Sequence, residues 1–314
     1  MRRIWPVIPM IAAGCATEYT PGTEVERAGA MNPRPLETVR HTDRILQVNQ
    51  PEVDVLWVVD SSGSMGDDQD AVKKHFPIFF EFFEGSGTDY HLGVISTDMY
   101  MASRQGRLIT VNGRRYIDPD TPNAAQVFNS MMPALGVDTE QGTDATYAAL
   151  ETQRMDYNLG FLREKSSVHV IVISDEWDSS EMAAEELASY LNGLRQDPDM
   201  VTFSSISRPD SYVNVTNMVG GIHHPILETD WGLVLEQLGL QAAGLKREYF
   251  LSRLPVPDTI VVTVQEGENV FSFSEGADWV YNPVRNSISF HKYVPNPFAE
   301  VIIDYALLSA HDAD

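Results

Sequence analysis

The chain of 314 residues has a single cysteine, Cys15. No intrachain disulfide can form, so the fold must rest on packing. Basic residues are scarce: 22 Lys and Arg face 45 Asp and Glu, a formal charge of −23. No stretch clusters Lys or Arg, which argues against phosphate-led nucleic-acid binding and against charge-led adhesion to anionic lipid. No apolar run reaches the roughly 20 residues that a membrane-spanning helix requires. Internal repeats are missing, as are the GxSxG elbow, the HExxH pair and the P-loop. The adjacent His223 and His224 lack metal-ligand spacing and read as loop.

At 43% hydrophobic and 10% aromatic, the chain can bury a sizeable core. Its amino terminus reads as something other than fold. Arg2 and Arg3 precede an apolar region at 4–11, and Ala12-Ala13-Gly14 stands before Cys15. Small residues ahead of a cysteine resemble the lipobox of bacterial lipoproteins. The expectation is a signal peptide at 1–14 with Cys15 lipidated; the alternative is an ordinary secretory signal cut nearby. Residues 15–44, rich in Pro, Gly, Thr and Glu, read as a flexible tether.

The informative stretch is 53–65, VDVLWVVDSSGSM. Its Val-rich first half fits a strand buried on both faces, as in a parallel sheet. Asp60, Ser62 and Ser64 follow at alternate positions, so their side chains can converge. Three hard oxygen groups suit a small divalent cation at the carboxyl end of a central strand. Downstream, helix-period and strand-like segments alternate. Helices are expected at 67–84, from Thr121-Pro122 to about 132, from Gly142 onward, at 181–195 capped by Asp178, at 215–219 and at 231–240 capped by Asp230. Strands are expected at 90–96, 168–174 and 201–206, with a hairpin about Asn112-Gly113. This alternation over 45–247 predicts an α/β fold with a doubly wound, mostly parallel sheet. From 248 to 314 the runs are short and β-rich with Gly, Asn and Pro between them, predicting a small all-β, sandwich-like module.

DSSGS after an apolar strand resembles the first motif, DxSxS, of the metal-ion-dependent adhesion site in von Willebrand factor type A (VWA) domains. The resemblance implies a Thr from a second loop and an Asp from a later strand end. Thr143 in GTD matches the first, with Thr139 as runner-up and a plain helix cap as the alternative. Asp175 in VIVISD matches the second. In that family Ser62, Ser64 and Thr143 would bind through hydroxyls, and Asp60 and Asp175 largely through water. Mg²⁺ is the implied ion, with Ca²⁺ and Mn²⁺ as alternatives. One coordination position would be left for an Asp or Glu carboxylate of a protein partner.

The chain departs from the pattern where Glu176 replaces the usual Gly, followed by Trp177 and Asp178. Asp98, Glu176 and Trp177 are candidates for places behind the ligands or on the rim. The strings SDE, FLRE and DTPN resemble a bacterial lipoprotein branch of this fold. Together these readings describe an envelope-anchored, metal-dependent protein-binding module of a Gram-negative bacterium, expected at the outer membrane and not an enzyme. The alternatives are a structural lipoprotein whose metal only stabilises it, and a metal-dependent hydrolase.

Overall fold

This computed structural model describes residues 39–48, 51–84, 87–136, 139–209 and 212–307. Cys15, the leader at 1–14 and the tether as far as residue 38 lie outside the described residues.

A five-stranded parallel sheet organises the larger unit. Its strands are β2 (Glu52–Val59), β3 (Asp89–Ser96), β4 (Ser167–Ser174), β5 (Val201–Ser207) and β6 (His223–Pro225), ordered β3-β2-β4-β5-β6. Central β2 pairs with β3 on one side and β4 on the other, both parallel. Its side chains alternate between two cores, which explains the uninterrupted apolar run. Val53, Val55, Trp57 and Val59 face helices α1 (Gly66–Phe80), α2 (Ala124–Met131) and α6 (Trp231–Ala242). Leu56 and Val58 face α3 (Gly142–Tyr147), α4 (Ala184–Asn192) and α5 (Val213–Val219). The sheet is therefore doubly wound. Trp57 packs edge-on against Phe76, Phe79 and Phe128, with ring centroids 5.0–6.2 Å apart. At the opposite end of β2 from the DSSGS turn, the wholly buried Asp54 is met by the Arg163 guanidinium at 2.7 Å. Arg163 also reaches Asp89 at 2.9 Å, so the Arg of FLRE ties β2 to β3.

Several local readings are corrected. Thr121 does not cap α2: its hydroxyl donates to Asp118, and the helix begins after Asn123, whose φ is 53°. Asp178 does not cap α4, which starts at Ala184 after an extended Ala183. The Asn112-Gly113 turn closes one bridge, Val111 to Arg114, but its arms never become a ladder. Leu92 instead bridges to Ile117, drawing the second arm to the edge of β3.

The small unit is a two-sheet sandwich. One sheet holds β7 (Glu248–Phe250), β11 (Ser287–Phe290) and β10 (Trp279–Asn282); the other holds β8 (Val261–Glu266), β9 (Asn269–Phe273) and β12 (Glu300–Ala306). The second sheet has a further member, β1 (Arg40–Leu46), antiparallel to β12. The division at 44/45 is thus corrected: residues 40–46 belong to the sandwich, and the parallel unit is inserted between β1 and β7. The sequence suggested only a short lead-in strand at 45–48, and the charge on both faces of RHTDRIL concealed the rest. Arg44 pairs with Glu300 at 2.7 Å, and Tyr305 donates to Asp43 at 2.7 Å.

Candidate metal centre

The turn after β2 is held before any side chain is considered. The Asp60 amide donates to the Ile173 carbonyl of β4 at 2.9 Å, prolonging the ladder by one residue. The Asp60 carboxylate then accepts from the Ser62 amide at 2.6 Å, which folds the next two residues back in an Asx turn. Gln69 on α1 donates to the Asp60 carbonyl at 2.9 Å, and buried Met65 pins the helix start. Behind the turn, Ser61 meets Ser96 at 2.9 Å and accepts from Arg104 at 3.1 Å.

Four of the five expected ligands are brought together. Ser62 Oγ and Ser64 Oγ lie 3.0 Å apart, and Ser64 Oγ is 3.0 Å from Asp175 Oδ1. Ser62 Oγ stands 3.5 Å from the same oxygen. Asp60 is fully buried beneath them and accepts from Ser174 at 2.6 Å. Burial raises its pKa, opposed by the Ser174 and Ser62 hydrogen bonds, and the Asp175 charge raises it further. These are all hard oxygen donors, and a small divalent cation suits their convergence. The residues fit such an ion.

Thr143 is placed differently. It lies in the first turn of α3, and its hydroxyl donates to Asp178. Asp178 Oδ1 accepts in turn from Ser180 Oγ at 2.6 Å. Burial raises the Asp178 pKa, against these hydrogen bonds. Gly142 before it admits no side chain, because a Cβ there would lie 2.5 Å from Tyr212 Oη. The charges of Asp178, Asp60 and Glu140 all act on the buried Tyr212, so the start of α3 and the DSSGS turn share one electrostatic neighbourhood.

Glu140 is the residue that sequence reasoning missed. It is completely buried, accepts from Thr97, and has its pKa pushed up to about 8, by burial first and the Asp60 charge next. An acid two residues ahead of a helix start carries no signal of its own. Its position is set by the Gln141 amide, which donates to the Thr97 carbonyl at the end of β3. Asp98 forms a turn, accepting from the Tyr100 and Met101 amides at 2.8 and 3.2 Å. It also holds Arg104 at 3.5 Å, and so supports Ser61 from behind. Glu176 is half-buried, and its charge adds to the upward push on Glu140. Trp177, 56% exposed, stands on the rim instead of packing beneath the loop. Asp67 and Asp68 open α1 beside the turn, and Asp68 is raised by burial and by the charges of Asp175, Asp67 and Asp60.

No protein-family model matches the chain, and no curated protein matches it. Among solved structures it is similar to the proximal thread matrix protein 1 of the mussel byssus with a zinc-occupied MIDAS motif, at 15% identity and TM-score 0.43, covering 64% of this chain and 48% of that one. It is similar to the pilus adhesin SpaC of Lactobacillus rhamnosus GG, at 12% identity and TM-score 0.43, covering 85% and 41%. A third is the ArnB paralog VWA2 of Sulfolobus acidocaldarius, at 11% identity and TM-score 0.37, covering 85% and 62%. The chain spans about half the length of the mussel protein. Likenesses this distant reach neither ligand nor partner, and the architecture described above rests on this chain's own strand order.

Proposed function

We propose that the carboxyl-terminal face of the parallel sheet binds a divalent cation and, through it, a protein partner. The observation that supports this is the meeting of Ser62 Oγ, Ser64 Oγ and Asp175 Oδ1 within 3.0–3.5 Å above the buried Asp60 carboxylate. Ser62, Ser64 and Asp175 would hold the ion directly or through water, with Asp60 oriented by Ser174 behind them and Thr143 at the neighbouring helix start. The ion supplies a positive Lewis-acidic centre able to accept a carboxylate oxygen. Mg²⁺ is the proposed ion, with Ca²⁺ and Mn²⁺ as competitors, and the partner presents an Asp or Glu. Trp177 on the rim offers the partner an exposed aromatic surface. We further propose that the module is lipid-anchored at Cys15, works at the outer membrane of a Gram-negative envelope, and catalyses no reaction.

The test is titration of chelated protein with Mg²⁺, Mn²⁺ and Ca²⁺. Binding should raise the melting temperature, with about 2.7 kcal/mol of stabilisation at 100 times Kd. Asp60→Ala combined with Ser62→Ala should abolish both the stabilisation and Mg²⁺-dependent partner capture from envelope extract. The sandwich should remain folded in that variant. A wild-type protein indifferent to all three ions would reject the proposal.

A further inference from the structure

Thr143 lies three residues after the buried Glu140, on which the Asp60 charge acts, and the group its hydroxyl touches is Asp178. An alcohol has one proton to donate and two lone pairs to offer. A Thr that ligates a cation through its oxygen must send its proton elsewhere, and the acceptor fixes where the lone pairs point. Here that acceptor is Asp178, which takes the Thr143 hydroxyl. That bond orients the Thr143 hydroxyl.

Asp178 is itself held. Its Oδ1 accepts from Ser180 Oγ at 2.6 Å and from the Ser180 amide at 3.3 Å. Ser180 Oγ also accepts from the Asp144 amide at 3.0 Å, and the Asp144 carboxylate accepts from the Glu181 and Met182 amides at 2.8 and 3.0 Å. The segment after β4 is thereby stitched to the first turn of α3. This stitching joins the segment that carries Asp175 to the segment that carries Thr143.

We propose that Asp178 is the positioning residue for Thr143, aiming its oxygen at the cation and so setting the cation affinity of the site. The inference rests on the metal-binding reading above and adds to it a residue outside the ligand set. Outer carboxylates that orient first ligands commonly change metal affinity by about 10–100-fold when removed.

The experiment measures Mn²⁺ affinity of the full chain by electron paramagnetic resonance of the free ion, with metal alone as the probe. Asp178→Ala should weaken binding about 10–100-fold. Asp178→Asn keeps an oxygen acceptor in place and should recover most of that loss. Thr143→Ala should weaken binding as well, and adding Asp178→Ala to it should cost no more, because the residue that Asp178 aims is already gone. Melting in chelator identifies any variant that fails to fold, and the Asn variant then carries the comparison against Thr143→Ala. Wild-type affinity in Asp178→Ala, or additive losses in the double variant, would overturn this inference while leaving metal binding intact. A wild-type chain that binds no Mn²⁺ would overturn the metal reading and this inference with it.

Discussion

Buried ionisable groups set how this molecule responds to pH. His169 on β4 is 5% exposed, and its Nδ1 shares a 2.7 Å hydrogen bond with Thr202. Burial alone lowers its pKa from 6.5 to about 4. The unfolded chain therefore takes up the proton first as pH falls. The stability that neutral His169 contributes is complete above 6.5 and is lost progressively toward about 4. Urea unfolding between those limits should show His169→Gln losing about 3 kcal/mol less than wild type on acidification. Equal pH slopes in the two proteins would disprove the assignment. Glu140 works in the opposite sense. Its folded pKa is raised, so the metal-free fold is penalised as pH climbs from 4.5 to about 8. At the same scale the sequence showed Asp60, Ser62 and Ser64 able to converge through their alternate spacing after an apolar strand, and pointed to Asp175 and Thr143 only through the family resemblance. It left Asp178 as a helix cap and Glu140 unnoticed, because neither has a local pattern that foretells its partner.

Among the elements, β1 shows how far pairing can override composition. Its charged, alternately exposed sequence has little intrinsic strand preference, and its order comes from β12 beside it. Asp43 at its centre accepts from Tyr305 at 2.7 Å and from Ser252 Oγ at 2.6 Å, joining β1, β12 and the segment after β7. Removing the Tyr305 hydroxyl takes one donor from the Asp43 carboxylate and one acceptor from the Arg253 amide. Tyr305→Phe should destabilise the chain by about 1–3 kcal/mol in denaturant titration. A change within error would mean that water replaces the hydroxyl. The helices were more legible. Asp230 caps α6, accepting from Leu233 at 3.2 Å, and Gly220 ends α5 at a φ of 89°, both as their residue types foretell.

Taken whole, the molecule is a parallel α/β unit set into a β sandwich. The chain leaves the sandwich after β1 and returns at β7 through neighbouring points. Gln47 donates to the Lys246 carbonyl at 3.1 Å, and Tyr249 donates to that carbonyl at 2.8 Å and to the Gln47 side chain at 3.1 Å. Charge acts at this scale too. At −23 the surface repels itself, and the acids around the DSSGS turn concentrate that repulsion where a cation would relieve it. In chelator, raising salt from about 0.02 to about 0.5 M should increase the melting temperature. The same change should do less for the metal-loaded protein. A metal-free melting temperature unaffected by salt would show that the acidic surface carries no such strain.

The sequence by itself determined the features that repeat over short distances: the apolar strands, the helical faces, the turn that begins at Asp60, and the β-rich character of 248–314. Those are local because strand and helix periods, caps and turn residues act within a few positions. Only the tertiary structure decided that residues 40–46 complete the sandwich, that Glu140 is buried where the Asp60 charge acts on it, and that the Thr143 hydroxyl is held by Asp178. Such pairings join residues far apart along the chain. Their energies depend on which surfaces the packed sheet and helices bring face to face, which no local pattern encodes.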